Sequence, residues 1–212
     1  MAAAVHAYWV DLDAMRGDLD RFTARLSRDE HDRAERFRFD RDRRRFLLRR
    51  GLLRELLSRY VDVAPERLVF DHNDFGKPSL PGSDVRFNLS HSHGLALFAV
   101  ARGREVGCDV ERRDPRHASA EIAERWFPPA EARALHILEP GGRLRRFFEN
   151  WTLMEALGKA RGVGLAEAAA DGADDADGQD WTTHPFEPAA AFQACVVAQG
   201  RCAVRVEQLQ LD

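Results

Sequence analysis

The chain has 212 residues, of which 44% are apolar and 32% charged, and its formal net charge is −3 at pH 7. This length suits one large domain or two small ones, and the composition is typical of a packed protein with a solvated surface. The slightly acidic balance does not favour a non-specific nucleic-acid binder. We find no signal-peptide pattern, no apolar run as long as a membrane span and only three cysteines, so we expect a cytoplasmic protein with free thiols.

The first predicted elements are a strand over residues 4–12 and a helical segment over residues 27–60. Ser27 followed by Glu30 forms a capping-box pattern, which predicts where the helix begins. Residues 21–59 carry fourteen arginines against seven acidic residues. This charge run alone fits a nucleic-acid surface, a well for several phosphates or a solvated helix. Five leucines at helical spacing predict the buried face: Leu48, Leu52, Leu53, Leu56 and Leu57.

The middle of the chain predicts two strands, "LALFAVA" and "VGCDVE", joined by a tight turn at "RGRE". Helices are predicted over residues 119–138 and 143–162, followed by an acidic solvated loop over residues 171–180. A strand hairpin is predicted over residues 190–211. Together these elements predict an α+β protein of two lobes, residues 1–103 and 104–212.

Asp109 and Glu111 are two acids at alternate positions of the predicted strand "VGCDVE". Alternation places them on one face, roughly 6.5 Å apart along the strand, where both can reach one cation. Hard oxygen ligands of this kind suit Mg²⁺ bound together with a substrate phosphate. Gly107 lies on the same face, where a missing side chain permits close approach of a ligand. A solvent-facing strand edge is the more common alternative for this pattern alone.

Lys77 and Lys159 are the only lysines in a chain with thirty arginines. Glu155 precedes Lys159 by one helical turn, which places the two about 40° apart on one helix face. A plain surface ion pair in this chain would be expected to use arginine, whereas lysine suits a point contact to one oxygen. Glu155 is therefore a candidate third metal ligand or general base. His91 and His93 could bind zinc, although histidines so placed are more often not ligands.

Six motifs, in their order and spacing, resemble the 4′-phosphopantetheinyl transferase superfamily in its longer, monomeric, surfactin-type form. They are "LSRDEHDRAERF", "RRRFLLRRGLLR", "FGKP", "FNLSHS", "VGCDVE" and "FFENWTLMEALGKARGVGL". The resemblance implies a pseudo-dimer of two similar α+β lobes, with coenzyme A and Mg²⁺ in the cleft between them. It also implies transfer of the phosphopantetheine arm of coenzyme A to a serine of an acyl- or peptidyl-carrier protein, releasing 3′,5′-ADP.

The resemblance further assigns roles to individual residues. Asp109, Glu111 and Glu155 would hold Mg²⁺ against the coenzyme A pyrophosphate. Glu155 would also be the base for the carrier serine, directly or through water, and Lys159 would stabilise charge on the phosphates. Contacts to the nucleotide phosphates would come from Lys77, Ser90 and His91, with Arg45 near the 3′-phosphate and Arg33 a weaker candidate.

Met154 departs from the family pattern, which usually has lysine immediately before the glutamate. This departure motivates a second hypothesis, a non-catalytic homologue that binds coenzyme A or a carrier protein without turnover. A nucleic-acid-binding module is a third, but it leaves the three acids unexplained and would predict a basic chain. We therefore expect a monomeric transferase with no nucleic-acid or membrane partner.

Overall fold

The structure, a computed structural model, describes residues 4–15, 17, 19–167 and 180–210. The first half contains β1 (Val5–Asp11), α1 (Leu19–Thr23), α2 (Arg28–Glu35), α3 (Asp40–Ser58), a 3₁₀ turn (Pro65–Arg67), β2 (Asp71–His72), β3 (Pro78–Ser79), β4 (Val85–Ser92) and β5 (Leu95–Arg102). The second half contains β6 (Val106–Arg112), α4 (Ala120–Trp126), α5 (Pro129–His136), α6 (Pro140–Arg161), β7 (Trp181–Phe186), β8 (Phe192–Gln199) and β9 (Val204–Gln208). The predicted α+β class is confirmed.

Two larger sheets organise the fold, with strand orders β4-β5-β1-β9 and β6-β8-β7. The predicted C-terminal hairpin is wrong, because β8 pairs with β6 and β7 while β9 leaves that sheet. β9 instead lies parallel to β1, with Val204 opposite Val5. Val204 and Val206 pack against a core cluster there, and the strand covers an edge of β1 that would otherwise carry unpaired backbone groups.

The predicted helical segment over residues 27–60 is divided into α2 and α3. The capping box of Ser27 and Glu30 is present at the start of α2, as predicted. The helix is interrupted after Arg36, and Phe37 then packs against Phe46 of α3, with ring centroids 5.3 Å apart. The predicted leucine face is confirmed, since all five leucines are buried.

Many arginines of this region form ion pairs with acidic residues of the same region. Arg54 is 2% exposed, and its Nε donates to Glu30 at 2.7 Å. Arg54 also donates to the carbonyls of Pro65 and Leu68, which fixes the 3₁₀ turn against α3. Glu30 and Glu55 together pair with five arginines: Arg21, Arg25, Arg50, Arg54 and Arg59. Much of the positive charge run is therefore structural.

The two larger sheets share a buried cluster that contains Val5 and Leu97 from one sheet and Val106 and Cys108 from the other. This shared core and the pairing of β9 with β1 both join residues from the two sides of Gly103. The division of the chain into two lobes at Gly103 therefore stays a prediction. No helix in the described ranges is both long enough and apolar enough to cross a membrane. Except for Asp180, the predicted acidic loop lies outside the described residues.

Candidate active site

A ladder of side chains joins β4 to β6 where the two sheets meet. Backbone N–H groups of β6 donate to side chains of β4 in the pairs Cys108 to Asn88 at 2.9 Å, Val110 to Ser90 at 3.4 Å and Arg112 to Ser92 at 3.1 Å. Both strands advance by two residues at each step, so they run parallel in a fixed register. The two serine hydroxyls in turn donate to the carboxylates of Asp109 and Glu111, each at 2.7 Å. The ladder therefore positions both acids that the sequence predicted as metal ligands.

Asp109 lies at the centre of this ladder between β4 and β6 and is 1% exposed. Its Oδ1 accepts from the Ser90 hydroxyl and, at 2.6 Å, from Lys159 Nζ. Its Oδ2 is buried and has no hydrogen-bond partner among the described residues. Buried carboxylate oxygens rarely lack a partner, and one that does indicates a missing donor or cation. The alternative of an ordinary solvent-facing strand edge is thereby excluded for Asp109.

The two glutamates beside Asp109 have raised pKa values. Burial raises the pKa of Glu111 to about 7, and the negative charge of Asp109 adds to the effect. Burial also raises the pKa of Glu155, where the ammonium of Lys159 opposes the shift and Asp109 adds to it. The three acids therefore interact through space, and their negative charges favour a bound cation.

α6 supplies Glu155 and Lys159, whose Oε2 and Nζ atoms are 3.8 Å apart. The predicted placement of both on one helix face is confirmed. The helix packs tightly on β6 at Gly107, where an added Cβ would lie 2.1 Å from the Ala156 carbonyl oxygen and 2.3 Å from the Ala160 nitrogen. The prediction that Gly107 admits a ligand is therefore wrong, because the helix backbone occupies that space.

The acids fit a metal site that is completed by substrate. In the described part of the chain, no three His, Cys, Asp or Glu side chains converge closely enough to hold a metal by themselves. Mg²⁺ is commonly bound through one or two carboxylates plus substrate phosphates, so such an open arrangement suits it. The unpartnered Oδ2 of Asp109 is the atom that supports this fit. Among the residues that the structure describes, His91 and His93 have no third such ligand beside them, which disfavours zinc.

A pocket of about 440 Å³ lies beside the ladder that joins β4 to β6. His91 lines it from the end of β4. The pKa of His91 is lowered by desolvation and by the positive charges of Arg49, Lys159 and Arg33. The full lining is Phe37, Arg41, Asp42, Arg45, Arg49, His91, Ser92 and His93. This lining is cationic and suits an anion.

Three arginines of α3 line this pocket, Arg41, Arg45 and Arg49, and only Arg45 was predicted from the sequence. Arg45, the predicted one, forms a two-pronged ion pair with Asp13, with Nε 2.8 Å from Oδ1. Arg49 was missed, although it follows Arg45 by four residues and therefore lies on the same helix face. That spacing is the signal that could have identified it.

The structure separates the remaining predicted phosphate contacts. Arg33 lies near the same region, with its guanidinium carbon 5.4 Å from the Phe46 ring centroid. Ser90 uses its hydroxyl on Asp109. Lys77 lines a different pocket, where its Nζ donates to Glu105 at 2.7 Å and to the Ala160 carbonyl at 2.8 Å. Lys77 thus holds the end of α6, and its contact to phosphate stays a prediction.

Met154, the departure from the family pattern, is partly buried and packs against an aromatic cluster beneath α4 and α5. Phe127, Phe147 and Phe148 belong to this cluster. The residue therefore contributes to packing on the side of α6 next to Glu155.

Comparison with known proteins places this arrangement in context. The family model described as "4′-phosphopantetheinyl transferase superfamily" matches residues 105–203, and the model "4′-phosphopantetheinyl transferase, N-terminal" matches residues 12–102. The chain is 41% identical over 167 residues to 4′-phosphopantetheinyl transferase HetI of Nostoc, covering 77% of this chain and 70% of the relative.

Two further relatives carry the same kind of name. The chain is 28% identical to 4′-phosphopantetheinyl transferase Sfp of Bacillus subtilis, over 76% of this chain and 71% of that protein. It is 30% identical to a phosphopantetheinyl transferase of Thraustochytrium, over 77% of this chain and 62% of that protein. The motifs quoted from the sequence and these matches agree.

Proposed function

Because this chain belongs to the 4′-phosphopantetheinyl transferase superfamily, we propose that it transfers the phosphopantetheine arm of coenzyme A to a serine of an apo acyl- or peptidyl-carrier protein. The product released is 3′,5′-ADP. The observation that best supports this activity is the buried, incompletely partnered Asp109 beside Lys159, next to a cationic pocket. Phosphoryl transfer is catalysed mainly by positioning and by positive charge where negative charge develops, and this region provides both.

Asp109, Glu111 and Glu155 are the proposed Mg²⁺ ligands. Bound Mg²⁺ would neutralise charge on the pyrophosphate of coenzyme A. Ser90 and Ser92 orient two of these ligands through the hydrogen bonds described above. Such supporting hydrogen bonds fix the direction in which a carboxylate presents its oxygens.

Glu155 and Lys159 are the proposed catalytic residues. The serine oxygen of the carrier attacks the phosphorus nearest to pantetheine, and the bond from that phosphorus to the bridging oxygen breaks. Glu155 accepts the serine proton, directly or through water, as a general base. Lys159 donates to the phosphate oxygens as 3′,5′-ADP leaves, which places a positive charge where negative charge grows.

The proposed phosphate contacts are those implied by the resemblance. His91 and Arg45 face the cationic pocket and would contact the 3′-phosphate, with Arg33 beside them. Lys77 and Ser90 would contact the remaining phosphates. The cytoplasmic location, the monomeric state and the absence of nucleic-acid and membrane partners also stay predictions.

Incubation with coenzyme A, Mg²⁺ and a panel of apo carrier proteins, followed by intact mass measurement, tests the activity. We expect one carrier to gain the mass of one phosphopantetheine group, and 3′,5′-ADP to appear in equal amount. The competing hypothesis, a non-catalytic homologue, predicts binding of coenzyme A without its consumption. Met154 is the observation that favours this competitor, because it removes a charge the family usually has.

A further inference from the structure

Phe46 of α3 is flanked by two guanidinium groups. The guanidinium carbon of Arg49 lies 5.1 Å from the ring centroid, and that of Arg33 lies 5.4 Å away. A cation over an aromatic face is held in place by the ring's negative surface. The aromatic ring thus orients Arg49 within the wall of the 440 Å³ pocket.

Arg49 is buried and, within the described ranges, has no carboxylate partner at close range. Arg49 is 9% exposed. No described acidic residue lies within ion-pairing distance of its guanidinium group, and the nearby Asp42 pairs with Arg41 and Arg45 instead. Asp42 attracts Arg49 from further away. Burial and the neighbouring charges of Arg33 and Arg50 lower the pKa of Arg49 to about 10. A buried guanidinium without a counter-charge favours an anionic ligand, because the anion would supply the missing compensation.

Arg45 differs from Arg49 in this respect. Its guanidinium is already engaged with both carboxylate oxygens of Asp13, and Asp42 lies 3.8 Å from it. An anion that binds Arg45 must compete with those two carboxylates. The net attraction that Arg45 can offer is therefore smaller than its full charge suggests.

We propose that Arg49 is the main contact for the 3′-phosphate of coenzyme A, and that it sets the preference for coenzyme A over dephospho-coenzyme A. The proposal deepens the proposed function and rests on it. A phosphomonoester carries a charge of about −1.5 to −2 near neutral pH and presents oxygens that a guanidinium can bind in pairs. His91, which lines the same pocket, supplies a second contact.

Isothermal titration of coenzyme A and dephospho-coenzyme A into five proteins tests the proposal. They are wild type, Arg49→Met, Arg49→Lys, Arg45→Met and the control Arg43→Met. Methionine keeps much of the length of arginine and its contact with Phe46 but removes the charge. Arg43 lies on the same helix, is exposed and does not line the pocket, so its replacement controls for the loss of one positive charge.

We expect Arg49→Met to weaken coenzyme A binding by about ten- to a hundredfold and to leave dephospho-coenzyme A binding unchanged. Arg49→Lys should recover part of the loss, and Arg43→Met should behave as wild type. The melting temperature of Arg49→Met without ligand should be unchanged or raised, because an uncompensated buried charge is removed.

Three results would overturn the proposal. The first is equal loss of both ligands in Arg49→Met, and the second is a larger effect of Arg45→Met than of Arg49→Met. The third is a wild-type protein that binds the two ligands equally. Failure of the proposed function can be distinguished from these results. If the protein prefers coenzyme A through Arg49 but never modifies a carrier, the role of Arg49 in binding stands and the proposed transferase activity is refuted. A protein that binds neither ligand refutes both.

Discussion

Replacing Gly107 by alanine tests whether the packing of α6 on β6 sets the geometry of the active site. The added Cβ would meet the Ala156 carbonyl oxygen at 2.1 Å, whereas Cβ contacts shorter than 3.0 Å essentially never occur. Relief requires a shift of about 0.9 Å, and the opposing atoms belong to the helix backbone, so no side-chain rotation can provide it. The helix itself must move away from the strand.

That movement would separate the two halves of the site. Lys159 and Glu155 travel with α6, while Asp109 stays on β6, so the 2.6 Å contact from Lys159 Nζ to Asp109 Oδ1 is lengthened or lost. A misplacement of about 1 Å near the reacting groups can cost a hundredfold in rate. Overpacking of this kind costs about 1–3 kcal/mol in stability, which a domain of this size survives.

The assay is the rate of carrier modification by Gly107→Ala at saturating coenzyme A, together with its thermal unfolding. Gly141→Ala is the matched control, because Gly141 is on the same helix and has open space around its Cβ position. We expect a folded Gly107→Ala protein with at least a tenfold lower rate, and a normal rate for the control. A Gly107→Ala protein with wild-type turnover would refute the reasoning that α6 must lie this close to β6.

Three further predictions concern the acids and Met154. Asp109→Ala and Glu155→Ala should each reduce transfer by two or more orders of magnitude with the fold retained by circular dichroism, since each removes an electrostatic contribution to catalysis; near-normal transfer by Glu155→Ala would remove the proposed mechanism. Because the pKa of Glu111 is about 7 in the folded protein, its contribution to stability is complete below the ordinary value of 4.5 and is lost as pH rises through 7. Glu111→Gln should therefore stabilise the metal-free protein at pH 8, by roughly 3 kcal/mol at most. The free energies of unfolding of wild type and Glu111→Gln are measured from pH 5 to 8, and a constant difference between them over this range would contradict the prediction. Met154→Lys should change KM for coenzyme A or carrier more than kcat, and transfer seen only with Met154→Lys would identify the wild type as a binding homologue.

Local patterns in the sequence predicted the parts of the fold that depend on local physics. The leucine face of α3 follows from helical periodicity, and the capping box at Ser27 follows from a short-range pairing with Glu30. The placement of Asp109 and Glu111 on one face of β6, where serine hydroxyls of β4 contact both, follows from the pleat of a strand. Each of these needs only a few neighbouring residues.

Features that depend on distant contacts could not be read in this way. The connection from β8 to β9 is short enough for a hairpin, and only the partnership of β9 with β1, from the far end of the chain, decides otherwise. Helical spacing identified Glu155 and Lys159 as a pair on one face. It gave no indication that the side chains of Asn88, Ser90 and Ser92 in β4 would accept hydrogen bonds from the backbone of β6, in place of backbone-to-backbone pairing. Gly107 was interpreted wrongly for the same reason, because its neighbour is a helix more than forty residues later.

The parallel pairing of β9 with β1 has a consequence for the order in which the protein is made and folds. β1 leaves the ribosome before the other described elements, and the strand that completes its edge emerges only after almost all the rest of the described chain. Until then one edge of β1 carries free N–H and C=O groups, which other nascent chains can pair with. Contacts between residues this far apart also slow folding, since a long stretch of chain must be ordered before they form. A fragment that ends at Gly103 would retain that bare edge permanently, and we expect it to aggregate rather than to behave as an independent lobe.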